Sequence, residues 1–82
     1  MSRGIIGRYI VKDTSIRDGA PTFRGTEVTV AEVLNQVADG VPWETIIKSH
    51  HGTVSKAAIT EAITIARLAL LEHYGAPSDD LI

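Results

Sequence analysis

Three histidines, a glycine-flanked arginine and two helix-opening hydroxyls are the residues of this 82-residue chain whose types invite a chemical reading. His50, His51 and His73 are too few and too loosely spaced for a metal centre of defined geometry, and no carboxylate pair stands beside them at ligand spacing. No metal and no cofactor is expected. Arg24-Gly25-Thr26 is a short turn that lacks the glycine density and the Lys-Ser/Thr of a phosphate-binding loop, and no helix opens directly after it. Thr29 and Ser55 carry hydroxyls without a base beside them, so they read as helix caps and not as nucleophiles. The sequence therefore points away from catalysis.

Binding chemistry remains. A turn separates a helix over 42 to 49 from one over 56 to 74, which permits a helix-turn-helix in which the second helix enters a major groove. Its outward residues would be Ser55, Lys56, Thr60, Thr64 and Arg67. Periodicity leaves an ordinary trihelical core equally open, and the loop is longer than the usual three or four residues.

The elements that would position these residues can be read in order. Tyr9-Ile10-Val11 is β-branched and aromatic and is closed by the turn formers Lys12 to Ser15, so a short strand is expected there. Asp18-Gly19-Ala20-Pro21 is a second turn signal, and Thr22-Phe23-Arg24 a second extended piece that stops at Gly25. Two such strands are marginal alone, so this arm should lie on the helices or pair with the edge of a second subunit. Thr29 with Glu32 matches a capping box, and Val30, Val33, Leu34 and Val37 keep the spacing of one buried helical face. Gly40 reads as the left-handed residue after that helix, and Pro42 as the first residue of the next, with Trp43, Ile46, Ile47 and His50 on its apolar face.

The last predicted helix changes character along its length. Its first half has one apolar face, Ile59, Ala62, Ile63 and Ala66. In its second half Ala69 and Leu70 continue that face while Ile65, Leu68 and Leu71 lie off it, so the helix is apolar almost all round. A chain of this size buries only about 60 to 65% of the surface its unfolded form exposes, and no cysteine is present to staple a thin core. A homodimer is therefore expected, with Tyr9, Ile10, Val11, Ile65, Leu68 and Leu71 as candidate dimer or partner contacts.

The expected architecture is mainly α: a small trihelical domain with an N-terminal β-hairpin arm. Its predicted plan is a flexible N-terminus over 1 to 8, one domain over 9 to 74 and a flexible acidic tail over 75 to 82. Within the domain a β arm covers 9 to 28 and helices cover about 30 to 39, 42 to 49 and 56 to 74. No window is apolar enough to cross a membrane, and no signal core opens the chain, so a cytoplasmic location is expected. Net charge is −2, which argues against a broad nucleic-acid footprint. The charge is unevenly spread, however. Residues 1 to 25 hold five cations against two acids, a balance of +3, and residues 26 to 82 hold three cations against eight acids, a balance of −5.

Gly19-Ala20-Pro21-Thr22-Phe23-Arg24-Gly25-Thr26-Glu27-Val28-Thr29-Val30, followed by Val37-Ala38-Asp39-Gly40-Val41-Pro42-Trp43-Glu44-Thr45-Ile46-Ile47, resembles the small prokaryotic family called domain of unknown function 433. That family shows Gly-Lys-Pro, two residues, Arg-Gly-Thr-Arg, an apolar residue and Thr-Val, and later a Gly-apolar-Ser/Pro-acidic-Glu-Ile-Leu turn before a final helix. The likeness covers about residues 9 to 73. It implies a homeodomain-like helix-turn-helix fold with a β arm, commonly dimeric, and a role similar to VapB-type antitoxins that pair with PIN-like nuclease toxins and repress their own operons. Arg24 keeps the family's arginine and joins the candidate nucleic-acid contacts on that ground. Ala20 and Glu27 depart from the family's Lys and Arg, which removes two cations from the motif and adds one acid. A partner-binding adaptor without DNA affinity is the alternative that this change favours.

Overall fold

The N-terminal arm is a three-stranded antiparallel sheet whose strands follow chain order: β1 (Arg3–Ile5), β2 (Ile10–Asp13) and β3 (Pro21–Phe23). The computed structural model describes residues 3–74. β1 pairs with β2 in a register that sets Gly4 against Lys12, and β2 pairs with β3 with Val11 against Thr22. The segment that the sequence assigned to a flexible N-terminus thus supplies a strand, held by backbone pairing. The connection is closed by the Ile10 carbonyl, which accepts from the amides of Ile6 and Gly7 at 3.1 Å each. Pro21 can open β3 because β3 is an edge strand, where the missing N–H breaks no ladder bond.

Between β2 and β3 the chain passes through a one-turn 3-10 element at Arg17–Gly19. Arg17, Asp18 and Gly19 all sit at positive φ, 48°, 57° and 86°. Glycine takes this conformation freely, whereas Arg17 and Asp18 each carry a penalty of about 1 to 2 kcal/mol. Arg17 recovers part of it at the surface by reaching Glu32 at 3.5 Å.

Three helices follow: α1 (Val30–Ala38), α2 (Trp43–Ser49) and α3 (Lys56–Tyr74). The α1 capping box forms as expected, with the Glu32 amide donating to Thr29 Oγ1 at 3.1 Å and the Thr29 amide donating to Glu32 Oε1 at 3.4 Å. Gly40, at φ 79°, follows the C-cap Asp39. Pro42 stands one place earlier than expected. Its ψ of 142° is extended, and its carbonyl accepts the first helical bonds from Thr45 and Ile46, so it is the N-cap of α2 and not its first residue. Ser55 caps α3 by accepting from the Ala58 amide at 3.1 Å.

The core lies between the sheet and the three helices. Ile10, Phe23, Val33, Ile46, Val54, Ala58, Ile59 and Ala62 form one buried cluster. Of the two ways to cover the arm, the chain uses its own helices: Ile10 and Phe23 of the sheet are each 1% exposed. Fully burying an aliphatic or aromatic side chain of this size is worth about 1.5 to 3 kcal/mol. The placement of Ile10 and Val11 corrects their reading as partner contacts. Both are buried within the protomer, Ile10 in the core cluster and Val11, on the opposite face of the strand, at 4% exposure. Tyr9 is half-buried against the same cluster. The acidic segment over 75 to 82 lies outside the described residues.

Candidate nucleic-acid and partner interface

α3 is 19 residues long, about 28 Å at 1.5 Å per residue, and only its first half has a core to rest on. Ala58, Ile59 and Ala62 are its buried residues, and Ile63 and Ile65 pack partly against the cluster. Beyond Ile65 every residue is exposed except Leu71, which is half-buried. Leu68, Leu70 and Tyr74 are 55%, 57% and 76% exposed. None of these side chains packs against the buried cluster, whose α3 contacts run no further than Ile65 among the described residues.

The candidate DNA contacts on α3 do share a stripe. Lys56, Thr60, Thr64 and Arg67 follow at four, four and three residues, the spacing of one helical face. Lys56, Thr60 and Arg67 are exposed, and Thr64 is half-buried. Thr60 and Thr64 donate their hydroxyls to the carbonyls one turn back, Lys56 at 3.0 Å and Thr60 at 2.9 Å, so each meets a ligand as an acceptor. Arg24 is not on this stripe. It sits exposed in the turn after β3, where its amide donates to the Tyr9 carbonyl at 2.8 Å and Gly25 takes φ 80°. Glu27 stands exposed in the same turn, so the local charge there is balanced.

The turn before α3 is built by hydrogen bonds. His51 and Gly52 both adopt positive φ, and Gly52 donates to the Ile47 carbonyl at 2.9 Å. Thr53 Oγ1 donates to the His50 carbonyl at 2.6 Å. His50 Nε2 lies 2.8 Å from Gln36 Oε1, a hydrogen bond that ties the end of α2 to α1. This fixes His50 as a connector of helices. Among the described residues no group of three or more His, Cys, Asp or Glu is placed to hold a metal ion, and no helix is long and apolar enough to cross a membrane.

One residue that organises this surface escaped the sequence reading. Glu61, the single acid in the first four turns of α3, accepts from the Arg8 amide at 2.9 Å and from the Tyr9 amide at 2.7 Å. Its carboxylate thereby holds the β1–β2 connection onto α3. Gly7 leaves room beside it: a Cβ there would lie 2.5 Å from Glu61 Oε1 and would push the carboxylate aside. Arg8 then stacks over the Tyr9 ring at 5.8 Å.

A three-stranded sheet packed on three helices, with its last helix running past the core, defines a small mainly helical domain. The chain belongs to the family described as "Protein of unknown function (DUF433)", whose pattern matches residues 10–66, from the start of β2 to the end of the core-facing half of α3. Comparisons with curated proteins and with solved structures give no match.

Proposed function

We propose that this protein is a non-catalytic, dimeric antitoxin-like or transcription-regulating module that uses the two halves of α3 for different partners. The observation that carries this reading is the change of environment along one helix. The first half is anchored by Ala58, Ile59 and Ala62 and shows Lys56 and Thr60 to solvent directly after α2 and its turn. This is where a helix-turn-helix module meets base edges, with the N-terminal residues of its second helix. The second half shows Leu68, Leu70 and Tyr74, a surface suited to another protein chain, either a second copy or a PIN-like toxin of the kind the family resemblance implies.

A salt titration of binding to the DNA upstream of the protein's own gene tests the DNA half. Affinity should fall with salt, and Lys56→Ala and Arg24→Ala should each weaken binding and flatten the salt slope by about one charge. Binding that is absent, or indifferent to salt and to both substitutions, removes the DNA half and leaves the second reading, a protein-binding adaptor without DNA affinity. The net charge of −2 and the Glu27 carboxylate in the Arg24 turn favour that alternative.

A further inference from the structure

The exposed half of α3 carries a pattern that its own core does not use. Thr64, Leu68 and Leu71 follow at spacings of four and three, the d, a and d positions of a heptad. Leu68 is 55% exposed, and the other two are half-buried. In that frame Arg67 falls at a g position and Glu72 at an e position, one on each flank of the seam. Both side chains are exposed, and among the described residues neither takes part in an ion pair. They cannot satisfy each other within the helix, because residues five apart do not face one another.

We infer that the C-terminal half of α3 packs against the same segment of a second copy, the two helices running in the same direction, with Arg67 of each pairing across the seam with Glu72 of the other. This rests on the dimeric part of the proposed function and names its interface. Charge decides both the occupant and the direction. In a parallel two-stranded pair the g residue of one helix meets the e residue of its partner five places on, and here that is an arginine meeting a glutamate, formed twice by the twofold axis. Reversing one helix sets g against g and e against e. Arg67 would then flank Tyr74 and Glu72 would flank Ile65, and no charge would find its opposite. The seam is self-complementary in one direction only.

Its extent is also set by the fold. The next a position towards the N-terminus is Glu61, whose carboxylate is occupied by the amides of Arg8 and Tyr9, so the seam starts where the body of the protomer stops. A contact this short should be reversible, with a dissociation constant of roughly 10⁻⁶ to 10⁻⁴ M. Leu70 projects from another side of the helix and takes no part. Thr64 and Arg67 also leave the DNA stripe, which keeps Lys56 and Thr60 in the N-terminal turns, and Arg67 lies about 16 Å along the helix from Lys56.

Sedimentation equilibrium of the full chain over a range of concentrations tests this, with circular dichroism confirming that each exposed-site variant stays folded. Self-association is expected. Leu68→Ala should raise the dissociation constant about tenfold or more. Arg67→Glu and Glu72→Arg should each weaken association by themselves, since each sets like charges across the seam. The double variant should recover to within about threefold of the parent, while Leu70→Ala should leave association unchanged. A chain that stays monomeric throughout the range overturns the inference. So does a double variant no better than its parents, or a Leu70→Ala effect larger than that of Leu68→Ala. These outcomes are independent of DNA binding, which is read through Lys56 and Arg24.

Discussion

The two halves of α3 have similar apolar content and opposite fates. Ile59 and Ala62 are 0% and 1% exposed, whereas Leu68 and Leu70, two to three turns further on, are more than half exposed at 55% and 57%. Side-chain type does not distinguish them. What differs is the surroundings: Ile59 and Ala62 share a buried cluster with Ile10 of β2 and Val33 of α1, and no described residue of α3 beyond Ile65 packs against that cluster. Burial in a chain this short is decided by what packs alongside, so a continuous apolar helix can be core at one end and exposed at the other.

That contrast can be broken most severely from the core side. Ile59→Ala should cost about 2 to 5 kcal/mol in a denaturant titration at low protein concentration, because it opens a cavity in the centre of the cluster. The same truncation at Leu70 should change the monomer's stability by no more than about 0.5 kcal/mol. Equal losses at the two positions would show that the halves are not distinct environments.

Glu61 marks the border between them and should have an intermediate effect. Glu61→Ala leaves the Arg8 and Tyr9 amides without their acceptor, at a cost of about 1 to 2 kcal/mol after allowing for its partial exposure. Faster amide exchange at Arg8 and Tyr9 would accompany the loss. If those two amides exchange at the parent rate in the variant, the clamp is not what holds the arm.

Gly25→Ala should be slightly milder, about 1 kcal/mol in melting experiments, since φ is 80° and nothing lies within 4 Å to add a steric clash. The smallest effect has the opposite sign. Thr22 is 0% exposed and its hydroxyl has no hydrogen-bond partner among the described residues, so Thr22→Val should keep the β-branched shape, remove the unsatisfied group and raise stability by up to about 1 kcal/mol. A loss of stability would indicate that the hydroxyl is satisfied by bound water.

Much of this fold can be read from local sequence because local chemistry causes it. Thr29 and Glu32 cap each other three residues apart, Gly40 ends α1 in the conformation glycine permits, and Ser55 caps α3, so the helix boundaries fall close to their predicted places. The strand at Arg3–Ile5 is three residues long and owes its existence to pairing with β2, which no local pattern announces. Ile10 and Val11 are apolar and β-branched, which identifies a strand but not what covers it, and it is the chain's own helices that pack over Ile10. The positive φ values at Arg17, Asp18 and His51 fall on residues that do not advertise them. Glu61 bridges 53 positions to Arg8, and a single acid on a helix looks like a solvated one until the arm folds over it. Of the candidate contacts, the α3 stripe was visible in its spacing, while the separation of Arg24 from it depends on the course of the arm.

The division of α3 is tested most directly by amide hydrogen exchange along the helix at two protein concentrations. Amides around Ile59 to Ile63 should be protected at both, and amides from Leu68 to Tyr74 should exchange rapidly in dilute solution and slow markedly in concentrated solution. Protection that is uniform along α3 and independent of concentration would contradict the account.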